Sequence, residues 1–231
     1  MGQRNDRVRQ PITPRRTNDV DAWNALPFGA FTRSSLLTSV STTVARTLVS
    51  SFVAFGFARL RFRFRGALFV VVLSTLMLPS EVTRIPLFIL FKELGWVNTL
   101  KPLIVPSLFG NAFCIFLLRQ FFMTLPIELD EAARLDGCSS LGIWWRIVMP
   151  LSVPALATVA LFSFIARWNE FLAPPIYLSD LGEMTIAVGL QFFHGDHTSD
   201  WNLLMAASTG AVLPIIVVFF FTQKLFIQGS P

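Results

Sequence analysis

Few side chains in this sequence are spaced for covalent chemistry. His194 and His197, with Asp196 and Asp200 nearby, are of metal-ligating types. Two histidines three apart without helix or strand context make a weak ligand set, however, and read as a solvated polar loop; no metal site is expected. Cys114 lies in an apolar run and Cys138 in a polar island, neither at ligand spacing from a histidine. Both read as small packing residues, with no disulfide between them. Trp168, Asn169 and Glu170 beside the histidines lack the spacing of a catalytic cluster. No Gly-x4-Gly-Lys-Ser/Thr loop is present to cradle phosphates, so this chain is not expected to be an ATPase. The stretch that stands out runs from Glu131 to Pro150, a partly charged island between long apolar runs. Its chemistry is recognition: Ala132 and Ala133 let a partner's backbone approach closely, and the Glu131 carboxylate fixes orientation. From the residues alone, a helix hairpin resting on the membrane surface fits as well.

The island predicts two short helices with a break. Pro126 suits a first helical turn. Ile127, Leu129, Ala132, Ala133 and Leu135 interleave with Glu128, Asp130, Glu131, Arg134 and Asp136 as an amphipathic segment. Gly137 can take the left-handed conformation that ends a helix. Ser139 or Ser140 can cap the next one, whose apolar residues lead toward the membrane at Pro150.

The elements around the island must be membrane helices. With 53% hydrophobic residues, 14% charged and a mean hydropathy of +0.60, 231 residues cannot hide their apolar surface in a globule. The net charge of +5 is mostly loop and tail arginine, which points to lipid headgroups and topology and away from nucleic acid. Residues 1–20 read as a disordered tail without a signal peptide, and residues 21–32 as an interfacial segment anchored by Trp23 and Phe28. Five spans are expected, over about 36–58, 64–81, 102–122, 148–172 and 203–222, with an outer interfacial helix over 85–96. The first span is rich in Ser and Thr and carries Arg46. A lipid-facing arginine there would cost at least about 2.5 kcal/mol, so Arg46 should face a partner, a watery cavity or a carboxylate. Pro106, Gly110 and Asn111 break the third span, making Asn111 a candidate pathway residue, as are Arg46 and Asn169. The small residues Ala206, Ala207, Ser208, Gly210 and Ala211 give the last span a close-packing face.

Glu131, Ala132, Ala133, three residues, Gly137, nine residues, then Ile147, Val148, Met149 and Pro150 resemble the EAA-x3-G-x9-I-x-L-P loop of inner-membrane permease subunits of bacterial ABC importers. Met149 stands where that family usually has Leu. Residues 58–62, 94–99, 116–122, 168–172 and 223–229 extend the likeness, which covers about 21–229 and is closest in detail to the sugar-uptake group. It implies an all-α polytopic membrane protein of the bacterial cytoplasmic (inner) membrane: a tail and interfacial segment over 1–33, then a permease domain over 34–229 with its coupling loop at 124–150. It implies coupling to the ATPase through Glu131, Ala132, Ala133, Asp136 and Gly137. The implied partners are a second homologous permease, two ATP-binding subunits that hold the ATP and Mg, an extracellular or periplasmic solute-binding protein, and membrane lipid. No cofactor is expected on this chain. The solute would be a sugar or a related molecule such as an oligosaccharide or a glycerol phosphate derivative. An outer loop with Gln191, Phe192, Phe193, His194 and Gly195 would reach the binding protein. The family has a further helix before Asp21 that is not seen here. Five spans with an inner C-terminus also put the arginine-rich N-terminus outside, against the positive-inside bias. The other reading, a secondary transporter of a small polar solute, would need mid-membrane ionisable groups, and only Arg46 qualifies.

The arginine distribution predicts residues 59–65 and 131–146 inside and 180–200 outside. In a background without Cys114 and Cys138, an impermeant thiol reagent added to intact cells should label Asp196→Cys and spare Arg63→Cys. The opposite pattern would invert the topology.

Overall fold

Broken helices need polar company, and one helix supplies it here. The computed structural model describes residues 27–192 and 201–227, and among these it is helical with no strand. Helix α1 (Phe28–Arg59) is a 32-residue rod that starts directly after Pro27. At about 1.5 Å per residue it outruns a bilayer core of about 30 Å. It packs mainly against α5 (Ala112–Thr124) and α8 (Val153–Trp168). Its buried hydroxyls bind backbone groups that the breaks leave free. Ser50 Oγ accepts from Asn111 N at 3.1 Å, Thr42 Oγ1 donates to Leu103 O at 3.4 Å, and Ser35 Oγ accepts from Ile186 N at 2.8 Å. The serine- and threonine-rich span is thus buried among other helices, as small hydroxyl residues allow.

Beyond Pro27 the chain departs from the interfacial segment expected over 21–32. Residues before 27 lie outside the described residues, and from Phe28 the chain is already α1. Phe28 is 1% exposed and meets Phe31 edge-on at 5.5 Å, inside an outer cluster with Phe91, Phe164, Trp168 and Tyr177. It is core and not an interface anchor, because two rings one turn apart fill a protein pocket that excludes water and headgroups alike.

Among the described residues, three helices are long and apolar enough to cross a membrane alone: α1, the stretch Lys101–Thr124, and Leu204–Gln223 within α11 (Trp201–Ile227). Two bent pairs meet the test jointly. Helix α2 (Arg65–Ser74) tightens through Thr75–Met77 and then turns 95° into α3 (Ser80–Glu93). Pro79 causes this: it pushes Leu78 into extended backbone and lets α3 begin at Ser80. The second span therefore ends at Met77 instead of residue 81, and the interfacial helix starts five residues earlier than expected and contains Pro86. In the other pair, α7 (Ser140–Leu151) meets α8 at 82°. Ser152 is the break, with Pro154 in the first turn of α8, so the fourth expected span is bent there, its residues 148–151 continuing α7 and the rest running as Val153–Trp168. In the third span, α4 (Lys101–Ile104) and the tight turn Val105–Phe109 are separated from α5 by Gly110 at φ +79°.

The segment expected as a polar outer loop folds onto the outer cluster. Helices α9 (Pro174–Tyr177) and α10 (Ile186–Gln191) bury Tyr177, Ile186 and Val188. Asn98, at φ +62°, clasps it: its N donates to Tyr177 O at 2.7 Å, and its Oδ1 accepts from Ser179 N and Asp180 N at 3.0 Å each. Trp168 Nε1 donates to Ala211 O at 3.0 Å, joining α8 to α11. Of the small residues on α11, Ala207 and Ala211 pack on the outer cluster, whereas Gly210 faces open space.

A Cβ at Gly189 would overlap Phe31 Cδ2 and lie 2.7 Å from its Cε2. Phe31 is fully buried and has nowhere to swing. Gly189→Ala should therefore destabilise the fold by about 1–3 kcal/mol. The readout is the thermal midpoint of the detergent-purified complex; an unchanged midpoint contradicts this tight seat.

Candidate coupling site

The island is a two-helix arm pinned to the end of α1. Its first helix, α6 (Glu128–Leu135), carries Glu128, Asp130 and Glu131 in the first turn and Arg134 in the last, which suits the helix dipole. Pro126 precedes it by two residues instead of sitting in its first turn. Gly137, at φ +81°, ends the helix with paired bonds: Cys138 N donates to Ala133 O at 2.9 Å and Gly137 N to Arg134 O at 3.0 Å. That Schellman closure needs the left-handed residue. Ser139 is the cap of α7, its Oγ accepting from Gly142 N at 3.2 Å. Within α7 the bonding widens to a π-turn over Trp144–Val148. Pro150 comes two residues after it and offers no N–H to the carbonyl four residues back.

Asp130 fastens the arm. It is 2% exposed, and its Oδ2 faces Arg59 Nε at 3.7 Å, an ion pair longer than a hydrogen bond. Arg59 Nη2 also donates to Leu125 O at 2.7 Å, so one guanidinium at the last residue of α1 holds both the entry and the first turn of α6. Ala133 and Ile143 sink into the inner cluster beside Phe55, Leu118 and Phe122. Trp144 meets Phe52 of α1 edge-on at 5.3 Å.

What remains outward is a mixed face. Glu131, Ala132, Asp136 and Gly137 are exposed; Ala133 is buried and packs inward. Leu135, 90% exposed, Leu141 and Trp145 add apolar area to it, although the sequence pattern directs Leu141 and Trp145 toward the membrane. Two clefts flank the face. One, of about 610 Å³, is lined by Arg59, Arg61, Phe62, Asp130, Glu131 and Arg134. The other, of about 640 Å³, is lined by Asp136, Gly137, Cys138, Leu141 and Trp145 among others. Sequence reasoning missed the pair Asp130 and Arg59. The sequence signals only that Asp130 shares a helical face with Ala133 three residues on, not with Glu131; it does not single out Arg59 as the partner.

The other candidate residues scatter. Asn111 is the cap of α5, its Oδ1 accepting from Cys114 N at 3.2 Å. Asn169 is exposed at the end of α8, where its Nδ2 donates to Ile165 O at 3.0 Å. Arg46 makes no hydrogen bond or ion pair among the described residues, and its Nε is shielded from solvent. Gln191 and Phe192 are exposed at the end of α10. Phe193, His194 and Gly195, with His197, Asp196 and Asp200, lie outside the described residues. Cys114 and Cys138 are free thiols, and Cys114 Sγ sits 3.8 Å from Ser163 Oγ. Glu170 pairs with Arg84 at 3.7 Å and accepts from Leu172 N and Ala173 N.

A bundle of interrupted apolar helices with a partly charged helix-turn-helix arm among its described residues fits an importer's membrane subunit. Residues 46–229 match the binding-protein-dependent transport system inner membrane component family, and the chain belongs to it. It is 37% identical over 213 residues to a probable ABC transporter permease of Bacillus subtilis strain 168, spanning 92% of this chain and 71% of that protein. It is 36% identical over 208 residues to the sn-glycerol-3-phosphate transport system permease of Salmonella typhi, spanning 89% and 74%. With the arabinooligosaccharides transport system permease of Halalkalibacterium halodurans it shares 35% over 196 residues, spanning 85% and 70%. In fold it is similar to a bacterial ABC transporter involved in the import of the acidic polysaccharide alginate, with a TM-score of 0.80 at 24% identity over 91% of this chain and 79% of that one. The chain is a multi-pass permease subunit of a binding-protein-dependent importer in the cytoplasmic membrane, and such permeases work with ATPase subunits and binding proteins.

Removing one member of the buried pair leaves the other charge uncompensated, at about 3–5 kcal/mol. Asp130→Leu should lower stability on that scale, and adding Arg59→Met to it should recover most of the loss. Thermal melts of the four forms make the cycle; additive single effects would mean the two residues are not coupled.

Proposed function

We propose that this permease pairs with a second, similar but non-identical permease, that the pair sits on two ATP-binding subunits, and that together they import a sugar or a related solute by alternating access. ATP and Mg belong to the partner subunits. Relatives whose names specify arabinooligosaccharides and sn-glycerol 3-phosphate support that solute class. The observation that carries the reading is the arm: an exposed face of Glu131, Ala132, Leu135 and Asp136, joined rigidly to α1 by the Arg59–Asp130 pair. An ATPase that moves this face moves the membrane helix with it. Gly137 sets the angle between the two arm helices, and Glu131 supplies the orienting charge. On the outer side, Gln191 and Phe192 begin the loop that would reach the solute-binding protein, stacking an exposed ring on its surface.

Gly137→Pro removes the left-handed turn, and Glu131→Lys reverses the charge. Both variants should reach the membrane and assemble with the companion permease, yet lose most solute-stimulated ATP turnover and uptake in the reconstituted complex. Normal stimulated turnover in both would sink the proposal that this face couples the two.

A further inference from the structure

One stripe of α1 holds polar groups that the fold itself does not use. The hydroxyls of Ser39, Thr43 and Thr47 and the Nε of Arg46 are shielded from solvent and have no hydrogen-bond partner among the described residues. Their spacing of three and four places them on one side of the helix. Across the contact with α8 stands Arg167. Its Nη2 donates to Leu103 O at 2.6 Å, the same carbonyl that Thr42 reaches one turn from Arg46, and its Nε is also shielded and unpartnered. That shared carbonyl puts Arg167 beside Thr42, one helical turn from Arg46.

No carboxylate among the described residues forms an ion pair with either. Glu170, within electrostatic range of Arg167, is committed to Arg84 at 3.7 Å and to two backbone N–H groups. Thr43 of the stripe also lines, with Thr222, an open and largely apolar cleft of about 210 Å³ between α1, α8 and α11. Each arginine at membrane depth costs at least about 2.5 kcal/mol, and two like charges side by side cost more. Guanidinium forks with free N–H groups match the oxygens of a carboxylate or phosphate in a two-point grip, and adjacent hydroxyls add neutral hydrogen bonds for an oxyanion or a polyol.

We propose that Arg46 and Arg167, with the hydroxyl stripe of α1 that flanks Arg46, grip an anionic group on the solute in transit, so that the solute of this importer carries a carboxylate or a phosphate. This rests on the importer reading above and narrows it to acidic solutes. The test uses the complete complex of both permeases and the ATPase subunits, in detergent without nucleotide. Equilibrium dialysis measures sn-glycerol 3-phosphate, digalacturonate and the neutral arabinobiose, which separates phosphate from carboxylate. One of the two anions should bind at least tenfold more tightly than arabinobiose. Arg46→Gln and Arg167→Gln should each weaken that binding at least tenfold, and Arg46→Lys should fall between. Arabinobiose binding as tightly as the anions, no anion binding, or anion binding that survives the double Gln variant would each overturn the proposal. So would an Arg46→Gln complex that falls apart on gel filtration while Arg46→Lys holds together, since the arginine would then be paired with a companion carboxylate. ATP-driven uptake of a neutral sugar by the full system with its binding protein would remove this inference and leave the importer reading standing. Absence of any ATP-driven uptake would strike the importer reading itself.

Discussion

In hydrocarbon, a backbone N–H or C=O without a partner costs several kcal/mol, so a membrane helix can break only where something else takes up the freed groups. Here that something is α1. Its hydroxyls meet the N–H groups of Asn111 and Ile186 and the carbonyl of Leu103, each lying at a helix start or beside a break. Leucines in the same places would be too bulky for so close an approach and would also leave those groups orphaned. The Ser and Thr content of the first span is therefore the condition under which the third span and the outer segment can be irregular at all.

The same helix ends in the guanidinium that anchors the arm. A buried ion pair is a poor source of net stability, because desolvation of both charges offsets most of their attraction. What it provides here is placement. Arg59 ties Leu125 and Asp130 to one point, and the inner cluster around Ala133 and Ile143 excludes water from that point. The arm thus has a dry side bound to α1 and a wet side carrying Glu131, Leu135 and Asp136. Division of one short amphipathic helix between an anchor face and an open face is a consequence of its period of 3.6 residues.

Much of this was legible in the sequence wherever a residue's backbone chemistry decides the outcome. Gly110 and Gly137 mark breaks because φ freedom acts locally, and the structure breaks at or beside each of them. What the sequence could not convey are consequences of distant packing. Phe28 reads as an interfacial anchor until Phe91, Tyr177 and Ile186 are seen to enclose it. Ala132 and Ala133 are alike in sequence, yet only one is exposed. Asp130 looks like one more surface carboxylate in an acidic turn, because its partner lies 71 positions earlier, in an arginine-rich loop whose first function is to fix topology. Hydropathy also treats a bent helix pair as a straight span, which is why the second and fourth expected spans run across turns of 95° and 82°.

The arginines Arg59 and Arg46 of α1 obey one rule with opposite results. Arg59 is buried with a carboxylate within ion-pair distance and a carbonyl accepting from it, and it holds fixed structure together. Arg46, thirteen residues or about 20 Å back along the same rod, has a shielded Nε with nothing accepting from it, and Arg167 beside it uses one nitrogen on Leu103 and leaves its Nε free. A charge with its counter-charge inside its own fold is spent on the fold. A charge held at depth with no counter-charge among the described residues must find one in something else that enters the membrane, whether a companion chain or the cargo. Because α1 carries both kinds and also holds the outer cluster at its start, an event at the arm and an event at Arg46 act on the same rigid body.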